Sequence, residues 1–228
     1  MAFLDDSVVN RMQALIDRWE AANDERRIFL SCYRMMTSNM FSALEQSVFL
    51  DSAWVDHLLH RFSEYYFVAL EAYEQDPIAA PPVWQLAHDT ARNPDSLALQ
   101  KLLVGVNAHI NYDLVLTIVE LLKSDWPDLT EEQRFSRYTD FCNVNEVINQ
   151  TIDAVQDQIL EREMPVMDLI DRLLGPLDEL MISGLITRWR ENVWRNATLL
   201  LEAVDPGEQS RLVEQVEQEA LKTGRLIA

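Results

Sequence analysis

The sequence predicts an all-α fold: a single helical domain of about eight or nine helices, with buried central helices. Three observations carry that prediction. Apolar residues recur at spacings of three and four along most of the chain. Period-two alternation and the Asn-Gly or Asp-Gly turns of hairpins are nearly absent. The 228 residues are 48% hydrophobic and 9% aromatic with only 5 Gly and 8 Pro, which is the makeup of a chain that fills a core. One domain of this size buries roughly 70% of its unfolded surface. No disulfide or metal is therefore needed for stability, and Cys32 and Cys142, far apart and without CxxC or Cys/His spacing, are read as reduced thiols.

The elements follow in order. A first helix runs from about Asp5 to Ala22 and ends at Asn23-Asp24; a second extends from about Asp24 to Val48. Asp51 or Ser52 caps a third, whose stripe Trp54, Leu58, Phe62, Tyr66, Ala69 and Tyr73 stops before DPIAAPP. Pro81 and Pro82 suit the first turn of a short helix to Arg92, because the N–H that proline lacks has no partner there anyway. After Asn93-Pro94-Asp95, a fifth helix spans about Ser96 to Ser124. Thr130 with Gln133 forms a capping box for a sixth that reaches about Met164. Pro165 and Gly175-Pro176 bracket a short seventh, and an eighth runs from about Leu177 to Val204. The chain divides into a helical domain over 1–204 and a C-terminal helical arm or tail over 205–228, where composition shifts to Glu and Gln around the thin stripe Leu212, Val216 and Ala220.

With 38 Asp plus Glu against 19 Lys plus Arg, the net charge is −19. Such a surface repels phosphate backbones and anionic headgroups, which argues against nucleic-acid and membrane partners. The N-terminus lacks a basic region followed by an apolar run, so the expected location is cytoplasmic. A Gly-rich phosphate loop, a G-x-S-x-G elbow and a DDxxD pair are all missing.

The informative stretch is residues 97–122, LALQKLLVGVNAHINYDLVLTIVELL, apolar almost all round yet carrying Asn107, His109, Asn111, Asp113 and Glu120. An unpaired buried polar side chain costs ~1–3 kcal/mol, so this many need partners or a pocket. His109, Asp113 and Glu120 share one edge of the helix, and Gly105, one turn earlier, allows close approach of a backbone or ligand. Asn145, Asp140 and Arg137 interrupt the stripe of the sixth helix, and Arg190 that of the eighth. Tyr33 lies on the Phe29, Met36, Met40 stripe of the second, with Arg34 on its flank. The Arg190 guanidinium is expected to pair with Asp113 or Glu120. HLLHRFSE in the third helix reads as a solvated or salt-bridged face, and the Met-rich second helix with Tyr65, Tyr66 and Phe67 as core or as the adaptable lining of an apolar pocket.

The words GVNAHINYDL, YRMMT, FSEYYFVAL, PPVW, NVNEVI and RWRENVWRNATLL resemble a family of mostly bacterial all-α proteins catalogued only as a domain of unknown function. The likeness covers roughly Ala22 to Ala203. The family word often has Met at the position of Val106 and Arg or another polar residue at that of Tyr112. The resemblance implies that Asn107, His109, Asn111 and Asp113 belong to a shared site, with Asp140, Asn145 and Trp194 as weaker matches. It supplies no reaction.

A satisfied structural network and a ligand pocket both account for these residues, and their density on one helix favours the pocket. The expected function is to bind or act on a small molecule by general acid/base chemistry. His109 would be the base and Asp113 its orienting carboxylate, with Asn107, Asn111, Asn145, Asp140 and Tyr33 as hydrogen-bonding groups and Arg190 or Arg34 as a clamp. A metal held by His109, Asp113 and Asp140 is disfavoured, and no cofactor is expected. The alternative is a non-catalytic interaction module with a structural polar network, its C-terminal helix pairing with a partner or forming a homodimer.

Overall fold

The computed structural model describes residues 7–155 and 179–228. Among the described residues the chain is helical and has no strand. Helix α1 (Ser7–Ala21) buries Met12, Ile16 and Trp19 and turns at Asn23, which takes a positive φ of 52°. Helix α2 (Arg27–Glu45) packs on it. Helix α3 (Ser52–Gln75) is capped by Asp51, whose carboxylate accepts the Trp54 N–H at 3.0 Å, as its sequence predicts. Helix α4 (Pro82–Arg92) begins with proline in its first turn.

Helix α5 (Ala98–Leu122) is the centre of the molecule. By length and composition it is apolar enough to cross a membrane, but 61% of its most apolar stretch is buried inside the fold. Its first half packs against α2 and α4, and its second half against α3. Two α-helical stretches, Ala98–Ala108 and Leu114–Leu122, flank a π-turn over His109–Asp113. There the Leu114 N–H donates to the His109 carbonyl. The periodicity predicts one uninterrupted helix; the π-turn lies inside the polar word that stands out in the sequence.

Helix α6 (Glu131–Val155) starts at the expected capping box, with Thr130 N–H donating to Gln133 Oε1 at 2.9 Å and Gln133 N–H to Thr130 Oγ1 at 3.2 Å. Helix α7 (Glu179–Glu202) packs on α6 and on the second half of α5. The last turns expected for the sixth helix, and the short helix expected between Pro165 and Gly175-Pro176, lie outside the described residues.

The segment expected as an arm or tail is helix α8 (Pro206–Ile227), which packs on α4 and α5 and buries Val216, Ala220, Leu221 and Gly224. At Gly224 an added Cβ would lie 2.9 Å from the Leu86 side chain and 3.1 Å from Asn107 Nδ2, so only glycine lets α8 approach this closely.

The buried side chains form two clusters. One gathers Trp19, Phe29, Tyr66 and Trp84; the other gathers Trp54, Ile118, Phe141 and Val193. Phe62 and Tyr112 pack against both.

Candidate functional site

Asp113 is 1% exposed and His109 3% exposed, so both are inside the protein. His109 Nδ1 lies 2.9 Å from Asp113 Oδ2. The Trp84 indole N–H spans both carboxylate oxygens, at 3.1 and 3.0 Å. Burial raises the Asp113 pKa, opposed by the bonds to His109 and Trp84. Burial lowers that of His109, against the pull of Asp113. The ring is therefore kept neutral. Because the indole is a donor only and bridges both oxygens, the carboxyl acts as acceptor, and His109 gives it the Nδ1 proton. With Nδ1 as the donor the lone pair is on Nε2, which is buried and has no hydrogen-bond partner among the described residues.

The ring is clamped by aromatic side chains. Phe62 stacks on it at 3.6 Å between centroids, 7° from parallel, and Tyr33 meets it edge-on at 4.3 Å. Phe29 also meets it edge-on, at 5.9 Å. Gly105 explains how Phe29 gets there: a Cβ at 105 would lie 2.7 Å from two carbons of its side chain. The close approach that the sequence predicts at Gly105 is made by an aromatic side chain.

His109 opens onto a cavity of about 160 Å³. Its walls come from α2 (Tyr33, Met36, Met40), α3 (Leu58, Phe62), α5 (Val106, Ile110), α6 (Val144, Ile148) and α7 (Ile186, Arg190). The methionines of α2 are thus divided: Met36 and Met40 line the cavity, and Met35 packs against the core. The cavity is apolar apart from a few groups. Thr37 and Thr151 return their hydroxyls to the Tyr33 and Val147 carbonyls at 2.8 and 2.6 Å. Burial pushes the Tyr33 phenol well up and the Cys32 thiol up to about 12, so both are protonated. Among the described residues, His109 and Arg190 are the cavity's remaining polar groups.

The other expected site residues have different duties. Asn107 donates to the Ala220 carbonyl at 2.9 Å and accepts from Asn111 Nδ2 at 2.9 Å, so this pair fastens α8 to α5 and faces away from the cavity lining. Asp140 accepts the N–H groups of Leu50 and Asp51 at 2.7 and 2.8 Å; it anchors the turn before α3. Arg137 pairs with Asp51 at 2.5 Å at the same turn. Arg34 does not line the cavity.

Arg190 pairs with neither Asp113 nor Glu120, contrary to expectation. Its Nε donates to Asn145 Oδ1 at 2.7 Å and its Nη2 to the Phe141 carbonyl at 2.6 Å, with its guanidinium 4.1 Å above the Phe141 ring. Glu120, which shares the His109 edge on an ideal wheel, is outward, bonded to Arg61 at 2.8 and 3.0 Å and to Tyr65 at 2.8 Å. These bonds, with His60–Asp56 at 3.7 Å and Arg11–Glu64 at 3.3 Å, form the salt-bridged face predicted for HLLHRFSE.

Sequence reasoning passed over Trp84 and Phe62 as site residues. Trp84 carried a usable signal, since a buried indole N–H seeks an acceptor and few are available in an apolar helix. Lys101 was also passed over; it is 3% exposed and paired with Glu25. Among the described residues, no group of three His, Cys, Asp or Glu is placed to hold a metal ion.

Together these features define an all-α protein with an acid–histidine pair buried beside an apolar cavity. The chain belongs to DUF5995, a family of unknown function whose model matches residues 6–228. This accords with the resemblance carried by GVNAHINYDL and extends it at both ends. No curated protein and no solved structure matches the chain.

Proposed function

We propose that the protein binds a small, mostly apolar molecule in this cavity, with His109 Nε2 accepting a hydrogen bond or a proton from it. The observation that carries this reading is a cavity-lining His109 whose buried Nε2 has no hydrogen-bond partner among the described residues, with Asp113 behind the ring. A buried acceptor without a donor costs about 1–3 kcal/mol, and a ligand hydroxyl or acidic C–H placed there removes that cost. Asp113 stabilises the imidazolium that forms if a proton is taken, which is the role of the orienting carboxylate in general-base pairs. Trp84 fixes the carboxylate, and Phe62 and Tyr33 fix the ring, so the acceptor is preorganised.

The interaction-module alternative loses its main support, because the stripe of α8 is covered by the protein's own α4 and α5. The test is thermal-shift screening with small phenols and alcohols, comparing wild type with His109→Phe, which keeps the aromatic stack and removes the acceptor. A probe that raises the wild-type Tm is expected to lose most of its effect in the variant. Equal shifts in the two proteins would remove His109 from the binding role.

A further inference from the structure

We propose that the cavity's ligand is a small apolar monocarboxylate, its headgroup paired with Arg190 and its hydrocarbon body on the apolar walls. This rests on the reading of the cavity as a binding site and concerns its Arg190 end; benzoate and hexanoate carry no donor for His109 Nε2, so they probe the headgroup contact alone.

Arg190 is 5% exposed and lines the cavity. Its polar partners among the described residues are both neutral, the Asn145 amide oxygen and the Phe141 carbonyl. A guanidinium has five N–H donors, and these two bonds use one on Nε and one on Nη2. The remainder have no acidic side chain among the described residues to receive them; the carboxylates expected to pair with Arg190, Asp113 and Glu120, are held by Trp84 with His109 and by Arg61 with Tyr65. A buried cation is costly unless a counter-ion meets it, Arg190 has none among the described residues, and the guanidinium stays charged at neutral pH.

The walls around it are aliphatic or aromatic, including Ile148, Ile152, Ile182 and Ile186. Water makes few bonds there, so an anion inside the cavity finds one strong attractor. The planar fork of Arg matches a carboxylate in two-point geometry. Size narrows the class further. An apolar cavity of roughly 150 Å³ is known to accommodate benzene, and this one measures about 160 Å³. A body of about six carbons fits that space, as in benzoate or hexanoate.

The experiment measures affinity of the full chain by calorimetry for benzoate and hexanoate, each against its neutral partner of similar size, benzyl alcohol or 1-hexanol. Both acids are expected to bind at least about tenfold tighter than the alcohols. That preference is expected to vanish in Arg190→Met and to shrink in Arg190→Lys, which keeps charge without the fork. If the alcohols bind as well as the acids, the carboxylate assignment falls while the apolar binding site stands. If acids and alcohols alike fail to bind the wild type, the binding-site reading falls with it. Should a folded Arg190→Met retain the preference for acids, Arg190 is not the headgroup partner. If Arg190→Met does not fold, the wild-type acid and alcohol pairs together with Arg190→Lys decide the matter.

Discussion

His88 and His109 are both buried, and both are held neutral by their surroundings. For His88, which is stacked on Trp84 at 5.3 Å, burial is the main cause and Arg26 and Arg92 add to it while Asp24 opposes; together they lower its pKa to about 3. The unfolded chain takes up a proton at each of these sites near pH 6.5, where the native state does not. Their contribution to stability is therefore fully present above pH 6.5 and is lost as pH falls toward the native values. Asp113, its pKa raised by burial, acts in the opposite sense: its contribution is present below the usual carboxylate range and is lost as pH rises through its raised native value. His88 alone accounts for about 2 kcal/mol by pH 5. Read by urea denaturation, the loss of stability between pH 7 and pH 5 should be smaller in His88→Phe than in wild type by about 2 kcal/mol; equal losses in the two proteins would contradict neutral burial. The same scale explains why a residue list read from sequence mixes two roles. Asn107 and His109 are two positions apart and equally polar, but one satisfies a helix contact and the other faces a cavity. Only the identity of the partner separates them.

Helix α5 shows what periodicity can and cannot reveal. Its existence, its burial on most faces and its cluster of polar residues were all legible, because apolar side chains on most faces leave little room for water. The π-turn was not, since one extra residue in a turn leaves no mark on composition. It shifts the facing of everything after Asp113 relative to an ideal helix, and Glu120 is on the surface with Arg61 rather than beside His109. Capping signals fared better: Asp51 and the Thr130/Gln133 box act within four residues, so local chemistry decides them. The tight contact of α5 with α2 depends on Gly105. Gly105→Ala should destabilise the fold by about 1–3 kcal/mol through the clash with Phe29, despite the better helix propensity of alanine. Much of that loss should return in Gly105→Ala/Phe29→Leu, measured by chemical denaturation. A stabilised single variant would mean that α2 and α5 pack more loosely than the structure has them.

For the molecule as a whole, the C-terminal helix is the instructive part. Its Glu/Gln-rich composition and thin apolar stripe suggested an appendage, yet Val216, Ala220 and Leu221 are buried, and Gln100 holds the carbonyls of Ile227 and Ala228 at 2.9 Å. Three features produce this closure: a glycine at 224, the buried side chains of Val216, Ala220 and Leu221, and Asn107 opposite the Ala220 carbonyl. Deleting residues 206–228 should lower the Tm by several degrees or more and expose α4 and α5, increasing dye binding. An unchanged Tm would show that α8 adds nothing to the core. Among the described residues, Asp113 and Asp140 are the buried acidic side chains, and both accept hydrogen bonds.

The sequence alone determined the all-α class, the capped starts at Asp51 and at Thr130 with Gln133, and the helix that carries the cluster of polar residues. Each of these depends on residues within a turn or two of one another, where spacing and side-chain type are enough. The tertiary structure decided which polar residues meet: Trp84 with Asp113 across 29 positions, and Arg190 with Asn145 across 45. Such pairings are set by how helices pack, and many partners are equally compatible with one sequence until the chain is folded.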